Sequence, residues 1–533
     1  MSVLKQRQYP AFLVIVAVSV WVTITGNYSF FSNLLDVYPV SWMNIGFIGS
    51  LSVLLVAVTN ILVSPFAVGR MFKPVLVLVL LISAASAYFM DAYNVIVSSE
   101  VLESALQTDA SESLGLLNTR LFMYLLLAGV LPGLMVWVLP IKHQGVFRSL
   151  LSRGKLMAIS SVAIVAMLLL FNSSYASFFR EHKSVRFYTN PETPIYTAIK
   201  YAKQKLDVAE HVAYQKIGLD AKQQPVEGKR RLIVLVVGET ARWDHFSLNG
   251  YGKATNPTLA QRDVVSFDHV SSCGTATAVS VPCMFSILDR DHYSERVAKA
   301  SDNVLDIAQR AGVTVAWMDN NSDSKGVALR VPYTSYRNPE INRQCDDECR
   351  DIGMLDGVQK LVSSTPSGDI LVVLHQMGSH GPEYAKRYPK SFEKFKPSCS
   401  SNLLEECSQE EIDNAYDNSI LYTDFFLGQV IDYLRSVSTD FSPAMLYISD
   451  HGESLGEKGI FLHGFPYALA PESQKHVPMI FWSGREFAQV QHKLEEPDFS
   501  HREFSQDNLF HTLLGLLDVK TSVYQRAMDI FSS

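Results

Sequence analysis

Five long apolar runs crowd the first third of the chain, and none follows them. They lie at 11–31, 45–68, 74–90, 121–140 and 156–176, each near the roughly 20 residues that cross a hydrocarbon core as a helix. The second, Ile45 to Val68, holds no charged side chain. The fourth contains Pro132-Gly133, a pair that a membrane helix tolerates when neighbouring groups satisfy the freed backbone. These runs predict a five-helix transmembrane domain over 1–180. The chain has 533 residues, more than one core serves. Its averages of 48% hydrophobic and 19% charged residues therefore blend this region with a more polar one.

Charge gives the orientation. Lys5 and Arg7 precede the first run, Arg70 and Lys73 separate the second from the third, and Lys142, Arg148, Arg153 and Lys155 lie around the gap before the fifth. The alternate loops carry acids: Asp36 in one, and Asp91, Glu100, Glu103, Asp109 and Glu112 in the other. Positive-inside logic leaves the N-terminus in the cytoplasm. Five is odd, so everything after the fifth run faces the opposite compartment. A cleaved signal peptide is the competing reading of the first run, but the run is long and lacks a clear small-x-small cleavage site. The net charge of −7 offers no reason to expect a nucleic-acid partner.

All six cysteines (Cys273, Cys283, Cys345, Cys349, Cys399 and Cys407) fall in the later half. Fifteen connectivities are possible; the clustering favours Cys273–Cys283, Cys345–Cys349 and Cys399–Cys407. Local bridges belong to an oxidising compartment, most simply a bacterial periplasm. A metal-binding set is the alternative, yet only Cys345 and Cys349 approach ligand spacing, with Asp346-Asp347-Glu348 between them.

Residues 181–230 read as a connecting segment. After Pro191 and Pro194, a stripe of Ile195, Ile199, Ala202 and Leu206 predicts a helix, with Lys200, Lys203 and Lys205 off the stripe. It fits either a bridging helix on the membrane surface or a helix packed on the soluble domain.

From 231 to 533, runs that are apolar throughout (232–237, 313–318, 370–375, 445–449 and 477–482) alternate with helical patterns. Strands of that kind are buried on both faces of a doubly wound, mostly parallel sheet, whose sites form beyond the carboxyl ends of the strands. The first run leads into Glu239, the third into His375 and then His380, and the fourth into Asp450-His451. Carboxylate and imidazole on one rim suit Zn²⁺, with Mn²⁺ next. Between Cys273 and Cys283 runs a segment of hydroxyls and small residues. A helix opening at Thr277 would aim backbone N–H groups at an anion, and a cation beside Thr277 would activate its sluggish hydroxyl. Thr275 and Ser280 read better as helix caps.

Taken together, Val236-Val-Gly-Glu239-Thr-Ala-Arg242, Asn249-Gly-Tyr-Gly252, Ser272-Cys273-Gly-Thr-Ala-Thr277, Ser379-His380-Gly-Pro382 and Ser449-Asp450-His451-Gly-Glu453 resemble the bacterial lipid A phosphoethanolamine transferases. That group includes the mobile colistin-resistance enzymes and sits in the alkaline phosphatase/sulfatase superfamily. The resemblance implies an inner-membrane enzyme with a periplasmic sulfatase-like domain, working as a monomer. It would move phosphoethanolamine from phosphatidylethanolamine to lipid A and confer polymyxin resistance. Thr277 would be the nucleophile, and Glu239, Thr277, Asp450 and His451 would bind one catalytic Zn²⁺. His380 and His463 match histidines near the substrate phosphate, where a second zinc is sometimes placed, and Lys325 matches a basic residue of the same site. Thr108 and Glu112, with Gln107 and Asp109, match a segment that lines the lipid headgroup; Ser104 stands where the family usually has Asn. The rival readings are transfer to the lipopolysaccharide core, phosphoglycerol transfer, and a non-catalytic module on the same fold.

Overall fold

The computed structural model describes residues 8–107, 116–142, 145–182, 184–209, 213–223 and 228–532. It divides into two compact units: residues 1–102 with 113–204, and residues 103–112 with 205–533.

The first unit is helical. Among the described residues, four helices are long and apolar enough to cross a membrane, and a bent pair makes a fifth candidate. The pair is α1 (Ala11–Gly26) and α2 (Tyr28–Val37), turned by 61°. The run that reads as one span is broken at Asn27, whose amide bonds back to Val22 O and across to Asn190 O at 2.6 Å, while its Oδ1 accepts Asn190 N–H. Gly26 is required there: a Cβ would sit 2.6 Å from Ser83 Oγ. Next come α3 (Ile45–Val63), α4 (Phe72–Tyr93), α5 (Ser99–Gln107), α6 (Thr119–Val138) and α7 (Val146–Leu170). Along α7, Ile159, Val162, Val165 and Leu169 are exposed, an apolar surface suited to lipid tails.

After α8 (Asn172–Glu181) comes α9 (Glu192–Ala209), the connecting helix. In the first unit, Thr59 donates to its Glu192 at 2.6 Å, and its Thr197 donates to Val97 O. In the second unit, Lys205 pairs with Glu103 and Glu295, both at 2.9 Å.

The second unit is built on a seven-stranded sheet: β1 (Arg230–Gly238), β2 (Val265–Phe267), β3 (Thr314–Asp319), β4 (Tyr333–Ser335), β5 (Ile370–His375), β6 (Phe441–Ser449) and β7 (Met479–Ser483). Their order is β2-β7-β6-β1-β5-β3-β4. The run from β6 to β4 is parallel, and β7 pairs antiparallel with both neighbours. Side chains alternate between two buried layers. Ile233, Leu235 and Val237 pack with α10 (Thr277–Met284), α11 (Val304–Arg310) and α14 (Leu509–Leu516). Leu232, Val234 and Val236 pack with α12 (Met354–Ser364) and α13 (Gln409–Ser436). Both faces being covered explains why these strands are apolar throughout. The three cysteine pairs are bridged as 273–283, 345–349 and 399–407.

Candidate active site

Gly238 pairs with Ser449, so the next residue of each central strand, Glu239 and Asp450, leaves the sheet at the same level. Asp450 N–H donates to Gly238 O at 3.0 Å, which continues the ladder one step past the strands. The backbone turns sharply at Thr240, which has φ 54°, a conformation that a β-branched residue adopts only when its surroundings force it. Asp450 Oδ1 accepts the N–H groups of Thr240 and His451, at 3.2 and 2.7 Å. Gly378, with φ 53°, lets the loop after β5 close over this turn; a Cβ there would lie 2.7 Å from Glu239 O.

Thr277 is the first residue of α10, entered through extended Ala276 and held by the Cys273–Cys283 bridge. Its Oγ1 lies 3.1 and 3.3 Å from the two oxygens of Glu239 and 3.2 Å from His451 Nε2. Glu239, Asp450 and His451 are fully buried, and Thr277 is 8% exposed.

The histidine faces these groups with a lone pair. Nδ1 lies 2.9 Å from Gly452 O, so it carries the proton, and Nε2 turns toward Glu239 Oε1 at 3.5 Å and Asp450 Oδ2 at 3.3 Å. Burial lowers the pKa of the ring, which keeps it neutral. Asp450 Oδ2 is buried with no hydrogen-bond donor among the described residues. Two carboxylates, an unprotonated imidazole nitrogen and a hydroxyl thus converge in the buried interior. One donor atom from each of Glu239, Asp450 and His451 lies within 4.8 Å of the others. Converging acceptors in an interior require a cation, and carboxylate plus imidazole is a donor set for a divalent metal. The residues fit such an ion.

Two further histidines join this group. The His463 ring centroid is 4.4 Å from that of His451 and 5.5 Å from that of His380. His463 Nδ1 lies 2.8 Å from Glu453 Oε2, and Glu453 Oε1 also accepts the Tyr384 hydroxyl at 2.7 Å. His380 Nδ1 is buried without a partner among the described residues. Burial, then the adjacent His463, holds its pKa well below that of a free histidine. Lys325 lines a small cavity with Pro282, Ser286, Lys299, Asn303 and Arg330, and its Nζ lies 2.6 Å from the Oγ of Ser322, the residue after the Asn321 that bonds Glu239. Ser104 is half-buried on α5, next to the Glu103 that pairs with Lys205. Thr108, Asp109 and Glu112 lie outside the described residues.

Two residues that the motifs did not single out hold the site in shape. Asn321 Nδ2 donates to Glu239 Oε2 at 2.7 Å and to Gln376 O at 2.8 Å. Gln506 Nε2 donates to Ser449 O and Asp450 O, and its Oε1 accepts from Cys273 N and Ser280 Oγ. Asn321 was reachable by the strand-end rule, since it follows β3 by two residues. Gln506 had no comparable signal. Ser280 proves to be a brace between α10 and the β6 rim, not a cap.

Comparison with known proteins now adds to this geometry. Residues 231–519 match the sulfatase family model, which is the class that the parallel sheet and its rim define. Residues 55–206 match the model of the phosphoethanolamine transferases EptA/EptB. Phosphatidylethanolamine transferase Mcr-2 of Escherichia coli is 42% identical over 95% of each chain, and phosphoethanolamine transferase EptA of E. coli K12 is 38% identical over 96% of this chain and 95% of that one. The solved integral-membrane lipooligosaccharide phosphoethanolamine transferase A of Neisseria meningitidis superposes with a TM-score of 0.93 at 35% identity, covering 98% of this chain and 99% of that one. The chain belongs to the phosphoethanolamine transferase family, a membrane-anchored branch of the sulfatase fold.

Proposed function

We propose that this enzyme takes phosphoethanolamine from phosphatidylethanolamine, carries it on Thr277 and delivers it to a phosphate of lipid A. The reaction would take place at the periplasmic surface of a bacterial inner membrane. The observation that carries this reading is the Thr277 hydroxyl, within 3.3 Å of both Glu239 oxygens and of His451 Nε2 at a buried strand rim. Zinc held by Glu239, Thr277, Asp450 and His451 would withdraw charge from the hydroxyl oxygen and from the phosphoryl group.

The residues themselves divide the rest of the work. Thr277 Oγ1 gives up its proton and attacks phosphorus; the new O–P bond forms as the bond to diacylglycerol breaks, and the departing oxygen takes up a proton. A lipid A phosphate oxygen then attacks the same phosphorus, the O–P bond to Thr277 breaks, and the Thr277 oxygen takes up a proton to restore the hydroxyl. The α10 backbone opens toward the anion. His380 and His463 are the side chains beside the site that meet phosphate oxygens and handle the proton, and they are the pair for a second zinc. Lys325 offers positive charge, and Ser104, Thr108 and Glu112 are the candidates for the headgroup.

The names of the relatives support donor and acceptor: the Mcr proteins are called phosphatidylethanolamine transferases, and the Neisseria enzyme acts on lipooligosaccharide. The Kdo(2)-lipid A 7''-transferases are more distant, at 28% identity, which favours lipid A over the core. Anchoring enzyme and substrates in one bilayer raises their effective concentration. Mass spectrometry of lipid A from cells expressing the wild type should show added phosphoethanolamine, and Thr277→Ala should show none and trap no protein adduct. Transfer by Thr277→Ala, or modification confined to the core, would refute the proposal.

A further inference from the structure

One arginine of the membrane unit is left unanswered by its own fold. Arg153, on α7, is 6% exposed, and its Nε and Nη1 are buried with no hydrogen-bond partner among the described residues. Arg153, Leu156 and Ser160 are all buried, and spacings of three and four put them on one face of the helix. That face is turned inward. Ser160 Oγ meets Asn60 Nδ2 of α3 at 3.5 Å, and Leu156 belongs to the apolar cluster that includes Val14, Val63 and Leu76. Arg153 lies two turns, about 10 Å, beyond Ser160 toward the basic end of the unit. One turn beyond Asn60 in the same direction, just past the end of α3, is Ser64, whose buried Oγ also lacks a partner among the described residues.

An arginine keeps its proton at any ordinary pH, and a buried unpaired charge is strongly unfavourable. An arginine that snorkels would hold its head in water, but here two of the three nitrogens are enclosed. The three segments at this end supply no counter-charge, and Glu192, the acid that bonds α3, meets it at Thr59, farther from this end than Ser64. Residues 1–10, 64–73 and 139–158 contain eight Lys and Arg and no Asp or Glu. The missing anion must come from outside the protein, and in this setting the abundant anion is a phospholipid phosphate.

We propose that Arg153 is the anchor of a binding site for the phosphate of an anionic phospholipid, in the leaflet at the basic, cytoplasmic end of the membrane unit. The guanidinium fork matches two phosphate oxygens, and the surrounding lysines and arginines favour a lipid with net negative charge. This lipid is distinct from donor and acceptor, and its effect is on the stability of the helix bundle.

The test is the thermal midpoint of full-length protein, delipidated in a neutral detergent and titrated with phosphatidylglycerol. The wild-type midpoint should rise and saturate. Arg153→Gln should need about tenfold more lipid or worse, and Arg153→Lys, which keeps charge without the fork, should fall between. Diacylglycerol, which lacks the phosphate, and inorganic phosphate at the same concentration should each leave the midpoint unmoved. Wild type and Arg153→Gln titrating alike would overturn the proposal, as would inorganic phosphate matching the lipid. Should Arg153→Gln fold poorly, Arg153→Met decides. Removing an unanswered charge should lift the lipid-free midpoint above that of the wild type and abolish the lipid response, and a response that survives refutes the site.

Discussion

Asn321 shows how much of the site rests on a residue that touches no ion. Its amide donates to Glu239 Oε2 and to Gln376 O, so it fixes which way the carboxylate faces. Partners of this kind commonly govern metal affinity. Asn321→Leu should therefore weaken zinc binding by roughly 10–100-fold while the fold survives. Competition against a chromophoric chelator measures this, and an unchanged affinity would mean that Glu239 is oriented by something else. The candidate ligands Glu239, Asp450 and His451 were legible in sequence because they follow apolar runs, and Thr277 because it lies in the small-residue segment between two cysteines. Gln506 was not legible. Its partners, Cys273, Ser280, Ser449 and Asp450, come from segments more than 50 residues away, and nothing local marks a glutamine that will be buried among them.

At the scale of elements, Asp424 of α13 shows what burial does to a cap. Its two oxygens accept the N–H groups of Thr258 and Leu259, at 2.8 and 2.9 Å, and tie the loop before β2 to the longest helix of the sheet unit. Burial raises its pKa from 3.8 to about 6, although those bonds and the nearby Arg262 pull the other way. The folded state thus holds a proton that the unfolded chain has lost, so stability falls as pH rises from about 4 to about 6 and is level above. A rise of about two units corresponds to about 3 kcal/mol. Asp424→Asn does not titrate, so the wild-type advantage over it should shrink by that amount across the window. Thermal unfolding of both proteins from pH 4 to 7 would show it, as a gap that narrows by about 5 °C; a constant gap would mean that Asp424 titrates normally. The five long strands were readable because both their faces are covered, which leaves an unbroken apolar run. The edge strands 265–267 and 333–335 were not, since three residues of which at most one is buried carry no pattern. The antiparallel sense of β7 was equally invisible, because burial on both faces looks the same in either direction.

For the whole molecule, the question left by the bent pair is whether α1 and α2 together cross the bilayer once. A short bridge answers it: Tyr9 N–H donates to Pro140 O, and Lys142 N–H donates to Tyr9 O, both at 2.9 Å. The start of α1 therefore lies on the same side as the loop between α6 and α7. An even number of crossings must separate them, and α3, α4 and α6 supply three, so the bent pair supplies the fourth. With α7 the total is five, and the chain after it emerges opposite the N-terminus, as the loop charges imply. The count of five apolar runs already gave this parity and the charges the orientation; what the sequence could not foresee is that Asn27 would break the first span. Thiol labelling tests the result cleanly, since all six native cysteines are bridged. In spheroplasts, an impermeant maleimide should label Lys390→Cys, whose lysine side chain is 86% exposed, without permeabilisation. Lys142→Cys and Gln8→Cys should both react only after the membrane is opened. Gln8→Cys carries the decision: labelling from outside while Lys142→Cys stays protected would leave three crossings between them, and the bent pair would be a re-entrant hairpin.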